Sequence, residues 1–169
     1  MSFRFKLYRI LTALVLIIAG FFTIFGLLIT LFAGTNPMML LSLFIWGAGF
    51  IHSILSLYLQ RSWLAPGIPL KENTPTGIRI TGVITLIFGI MLFFSGAALT
   101  AATPEMFNEV VKQMPTQEAD SINPAILRPL GAIFLVLGLL MVFNVNLSFS
   151  FLRKWKQRQD DSTVLDDIN

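Results

Sequence analysis

From Ile10 to Gln60 the chain carries no Asp, Glu, Lys or Arg. A helix of a soluble domain keeps one face in water and therefore bears charge along it. A run this long without charge calls for a non-aqueous surrounding. The same pattern recurs later, giving four apolar blocks at about 10–32, 38–59, 78–101 and 125–151. Each holds about 20 residues or more, enough for a helix to cross a hydrocarbon core of about 30 Å. The expected fold is all-α: a polytopic, four-transmembrane-helix bundle in one integral membrane domain spanning residues 1–169. The 12% charged residues bear this out by their placement, since nearly all lie between the blocks or beyond them. The sequence pI of about 9.6 would suit nucleic acid, but the basic residues flank membrane segments, so no nucleic-acid partner is expected.

The first block follows Arg4, Lys6 and Arg9 and so imitates a signal peptide. Its apolar run exceeds the roughly 7–15 residues of a signal core, and Leu31-Phe32-Ala33-Gly34-Thr35 lacks a cleavage pattern. It reads as an uncleaved first helix.

Basic residues set the expected orientation, because Lys and Arg near span ends collect on the cytoplasmic side. Ten of the twelve occur at the chain start, between blocks two and three or at the very start of block three, or after block four. Only Lys112 and Arg128 fall on the other side. Both termini are therefore expected in the cytoplasm, the last as a tail over 153–169, and the membrane is read as a bacterial inner membrane. Tyr8, Tyr58, Trp63 and Trp155 lie at the same boundary, where amphipathic rings settle. Trp46 lies within a block and reads as a packed core residue.

The chain looks like one helical hairpin written twice. Arg9-Ile10 and Arg79-Ile80 open blocks one and three, while Asn36-Pro37 and Asn123-Pro124 precede blocks two and four. Small residues recur with a period of seven: Thr12, Ala19 and Gly26; Ser42, Gly49 and Ser56; Gly82, Gly89 and Gly96; Gly131 and Gly138. That period holds them on one slowly drifting stripe of a helix. Small side chains there let backbones approach, which matters in lipid, where hydrophobicity does not drive helices together. The stripes are expected to be packing faces, within the bundle or towards a protein partner or second copy.

Between blocks three and four, Thr103-Pro104-Glu105 is a good helix start. Met106, Phe107, Val110, Val111 and Met114 then share one face, so an amphipathic helix is expected at about 104–114 on the outer surface.

Few residues in the blocks can carry chemistry. His52 is the only histidine and lies nine residues before Arg61; Asn144 lies nine before Arg153, at the matching place in block four. An ionisable group in a span is a functional candidate. With no intramembrane carboxylate beside it, His52 is a poor proton relay, and the favoured reading is a neutral imidazole hydrogen-bonded to a Ser, a backbone carbonyl or Asn144. Arg128 is read as snorkelling to the outer interface, or pairing with Glu105 or Glu109. Asn146, Ser148 and Ser150 make the end of block four polar, as a water-accessible mouth or as ordinary interfacial polarity.

Absences narrow the field further. No cysteine means no disulfide, thiolate metal site or thiol nucleophile. No Asp or Glu lies in any block, which removes the usual residue of proton- or sodium-coupled transport. No H-E-x-x-H, G-x-S-x-G or P-loop pattern occurs, so neither an enzyme nor a cofactor is expected. Small multidrug transporters keep a glutamate in their first span, and this chain has none there. The expected role is an accessory, assembly or scaffold subunit acting through helix contacts. A small oligomeric transporter or channel lined by His52 and Asn144 is the alternative, and a lipid-binding membrane protein stands behind it.

Overall fold

In a lipid core no water satisfies backbone N–H and C=O groups, so a spanning segment bonds its own backbone as a helix. The computed structural model describes residues 2–34, 36–65, 68–103, 105–106 and 124–166. Among them are four helices long and apolar enough to cross a membrane: α1 (Phe3–Ala33), α2 (Pro37–Leu64), α3 (Thr74–Ala101) and α4 (Pro124–Asp166). The chain is thus a multi-pass helical membrane protein.

The helix ends follow local chemistry. Gly34 closes α1 at φ 85°, a left-handed backbone that a side chain would strain. Asn36 then caps α2, its side-chain oxygen accepting from Met38 N–H at 2.9 Å, and Pro37 takes the first helical position, where no N–H is needed. Every helix outruns its apolar block. The largest difference is at α4, which continues without a break to Asp166, where the sequence suggested a tail from residue 153. Trp155 and Arg158 hold this extension: the Trp155 indole N–H donates to Ser62 Oγ at 3.0 Å, and the Arg158 guanidinium lies 3.8 Å from the centre of the Trp63 ring. The amphipathic helix expected at 104–114 falls mostly outside the described residues. Within it only Glu105 and Met106 are described, both helical and exposed, with Met106 N–H bonded to Thr103 Oγ1 at 3.4 Å.

The chain divides into two compact units, one of residues 1–87 and 141–169, the other of 88–140. In the first unit, Phe5, Tyr8, Leu59, Ile78, Phe151 and Leu152 form the apolar core. Phe151 is its hub: Tyr8 stacks on it at 5.1 Å, and Phe5 and Trp63 meet it edge-on at 5.4 and 5.5 Å. Tyr8, placed by the sequence at the membrane boundary, is thus buried in the core of this unit and not exposed at its surface. Trp46 is half-buried and stacks on Phe22 at 4.4 Å.

The second unit is held differently. A Cβ added to Gly138 would lie 2.5 Å from Phe93 N and 2.6 Å from Gly89 O. One added to Gly131 would lie 2.9 Å from Gly96 O, and one added to Gly96 would lie 2.6 Å from Gly131 O. Gly89 pairs with Gly138 and Gly96 with Gly131, so α3 and α4 run antiparallel there with backbones in contact. No side chain larger than hydrogen fits at these crossings.

Candidate functional site

Three helices each bring a pair of polar residues four positions apart: Tyr8 and Thr12 on α1, Ser56 and Gln60 on α2, Asn144 and Ser148 on α4. Residues i and i+4 share one face of a helix. All six are buried, Gln60 at 4% exposure and the other five at 0%. They meet in one network. Tyr8 OH donates to Ser148 Oγ at 3.2 Å, and Ser148 and Ser56 hydroxyls bond at 3.1 Å. Gln60 Nε2 donates to Thr12 Oγ1 at 2.8 Å. Thr12 Oγ1 lies 2.8 Å from Tyr8 O and 2.9 Å from Asn144 Oδ1, as donor to both.

Thr12 has a single hydroxyl proton, so those two acceptors compete for it. Meanwhile Asn144 Nδ2 is buried without a partner. Both faults resolve with the Asn144 amide turned by half a turn, an orientation of identical shape. Thr12 then accepts from Gln60 and from Asn144 and gives its proton to the Tyr8 carbonyl. The Asn144 carbonyl oxygen is then left buried without a partner.

His52 is also at 0% exposure but does not join this network. Its Nδ1 lies 3.4 Å from Thr81 Oγ1, and Thr81 already donates to Gly77 O at 2.7 Å. The Thr81 oxygen is therefore the acceptor, Nδ1 carries the proton, and the unpartnered Nε2 is a bare lone pair. The Phe149 ring meets the imidazole edge-on at 6.4 Å. The partner expected for His52 was a Ser, a backbone carbonyl or Asn144. Of these the backbone alternative holds: the Ile78 backbone on α3 hydrogen-bonds the imidazole, with the Thr81 hydroxyl beside it, while Asn144 bonds to Thr12 instead.

The small-residue positions sort clearly. Thr12, Ala19, Gly49, Ser56, Gly82, Gly89, Gly96, Gly131 and Gly138 are buried. Gly49 sits where a Cβ would touch Met141 at 3.3 Å, Ala19 at 3.7 Å and Thr85 at 3.8 Å. Two positions depart from the packing expectation. Ser42 is exposed, and Gly26 is half-buried with only Leu43 within reach, at 3.5 Å. Both lie in the far half of the α1–α2 hairpin, where no described side chain from Phe21 to Gly47 is buried.

Arg128 is exposed on α4, and among the described residues no carboxylate pairs with it; Glu109 lies outside them. Glu105 is held below the usual carboxylate range by its own backbone N–H and by the Thr103 hydroxyl, as suits a helix start. Asn146, Ser148 and Ser150 do not share a mouth. At about 100° per residue, alternate positions diverge, so Ser148 points inward while Asn146 and Ser150 are exposed, and Asn146 bonds back to Val142 O at 2.8 Å.

Two signals went unread in the sequence. One is the set of three polar i,i+4 pairs. The other is a small residue followed four positions later by a hydroxyl. Thr23 donates to Ala19 O, Thr30 to Gly26 O, Ser53 to Gly49 O, Thr81 to Gly77 O and Thr100 to Gly96 O, all between 2.7 and 2.9 Å. A hydroxyl with no water nearby turns to the carbonyl one turn back. Among the described residues no group of His, Asp and Glu is arranged to hold a metal ion. No protein family, characterised protein or solved structure matches the chain.

Proposed function

We propose that this protein is a non-enzymatic accessory or scaffold subunit that works by lateral helix contact inside a membrane. One observation carries the reading: the contrast within the α1–α2 hairpin. Its near half spends most of its polar groups on internal bonds, and its far half shows an almost wholly apolar surface, broken by the hydroxyl of Ser42. Phe21, Ile24, Phe25, Leu28, Leu31 and Phe32 on α1, with Leu40, Leu41 and Phe44 on α2, are all exposed. Thr23 and Thr30, the hydroxyls on that half of α1, are tied to their own helix. A transport path needs a run of polar groups left free for a solute, and among the described residues Ser42 is the one exposed hydroxyl this half offers.

In the fuller reading the bundle is two tandem hairpins related by an internal repeat. Both termini face the cytoplasm of a bacterial inner membrane, an amphipathic helix lies outside, and the far half of the first hairpin meets a protein partner or a second copy. A photoreactive amino acid at Phe25 or Phe44, activated in native membranes, tests the contact. A single protein adduct in near-stoichiometric yield supports the proposal. Lipid adducts alone at both positions overturn it.

A second reading has its own observation. His52 Nε2 and an amide atom of Asn144 are buried and unpaired, and such atoms in a span can mark a solute or proton path. Solute flux in proteoliposomes that is lost in a folded His52→Ala variant would favour a small transporter. Equal flux with and without the imidazole would end that reading.

A further inference from the structure

A cleft of about 490 Å³ opens between α3 and α4 in the first unit. Arg79 and Val83 line it from α3, one turn apart on one face. Phe149, Leu152, Arg153 and Lys156 line it from α4, at the spacing of one face over two turns. Arg79 stands at the start of the third apolar block and Arg153 just past the end of the fourth, so both lie at interfacial depth. Val83 and Phe149 lie deeper, inside the blocks. The cleft thus grades from a cationic rim to an apolar floor along the helices. All three cations are exposed, and among the described residues none pairs with a carboxylate.

We propose that this cleft binds the headgroup of an anionic phospholipid, with the phosphate among Arg79, Arg153 and Lys156 and the upper acyl chain against Val83 and Phe149. Arginine presents a planar fork of donors that matches phosphate oxygens, and lysine adds a point charge. A small soluble anion would use the rim and leave the floor bare to water. An amphiphile fills both, and its chain continues into the hydrocarbon that already surrounds these helices. Arg153 belongs to a longer basic run that includes Lys154, but Lys154 does not line the cleft. The site and a diffuse basic belt therefore make different claims about neighbouring residues.

The test uses full-length protein in phosphatidylcholine vesicles, with spin-labelled phosphatidylglycerol or spin-labelled phosphatidylcholine as probe. The readout is the motionally restricted fraction of each. Wild type should restrict phosphatidylglycerol preferentially, and added salt should weaken the preference. Arg153→Gln and Arg79→Gln should each lower it by up to about fivefold, the weight of one cation near an anionic surface. Lys154→Gln should leave it unchanged. Val83→Trp, which fills the floor and changes no charge, should lower it as well. The cations are exposed, so monodisperse variants are expected, and the wild-type preference tests the proposal without any variant. No preference in wild type, an equal loss in Lys154→Gln, an unaffected Val83→Trp, or displacement of the lipid by millimolar glycerol phosphate would each overturn it.

Discussion

The two units hold helices together by opposite means. In residues 88–140, α3 and α4 meet through glycines and the contact is backbone on backbone. In residues 1–87 and 141–169, helices α1, α2 and α4 meet through side chains that hydrogen-bond across the gap. Lipid offers helices no hydrophobic reason to associate, so either dispersion at close range or interhelical hydrogen bonding must serve. The glycine crossing tolerates no added atom and asks nothing of chemistry. The polar cluster fixes which residues face each other, because each donor needs its own acceptor.

Gly138→Leu puts the largest strain on this contrast. Its side chain would enter the space of Phe93 N and Gly89 O, which are backbone atoms and cannot rotate away. A loss of about 3 kcal/mol or outright misassembly is expected, at the upper end of overpacking costs. It would be read as thermal stability in detergent, and a variant as stable as wild type would remove the claim of backbone contact. Thr12→Val should come next. It keeps the shape but takes away the acceptor of Gln60 and a bond to Asn144, for a loss of about 1–2 kcal/mol, near the ceiling for polar contacts in membranes. Reversible unfolding in mild denaturant would measure it. Should Thr12→Val cost as much as Gly138→Leu, the side-chain network is the stronger of the two devices.

Gly82→Ala sharpens the comparison from inside the polar unit. The added methyl would meet the Phe149 ring at 2.6 Å and His52 Cε1 at 3.0 Å, which are side-chain atoms able to turn. The loss expected is about 1 kcal/mol, less than for a clash with backbone. A shift in the Phe149 or His52 ring resonances should accompany it. Ser42→Ala should fall within about 0.5 kcal/mol, because the residue is exposed and removed from both devices. A larger loss in the isolated protein would mean that Ser42 makes a contact the described structure lacks.

Much of this architecture is legible in the residues. The uncharged run from Ile10 to Gln60 states the solvent, and Asn36-Pro37 states where α2 begins. The period of seven marks Gly82, Gly89, Gly96, Gly131 and Gly138 as buried faces. It does not state which glycine meets which. Pairing Gly89 with Gly138 depends on how far one helix slides along another, and a repeating stripe looks the same after a shift of seven. The polar cluster was harder still. Tyr8 and Gln60 sit near block ends, where polarity is ordinary, so each taken alone reads as an interface residue. Their burial comes from the meeting of three helices at one depth. His52 drew notice as the lone histidine, although the partners α3 brings to it, the Ile78 backbone and the Thr81 hydroxyl, carry no mark in the sequence. The cleft beside Arg79 and Arg153 was hidden for a similar reason: its residues come from helices far apart in the chain, and each arginine alone looks like a topology signal.

The long run of α4 past its apolar block has a mechanical meaning. Trp155 and Arg158 fasten that extension to Ser62 and Trp63 at the end of α2. A pull or twist applied near Asp166 is therefore shared between two helices before it reaches the lipid. The extension is braced at two points, so losing the Trp155 bond would loosen it while the Arg158 contact with Trp63 still held.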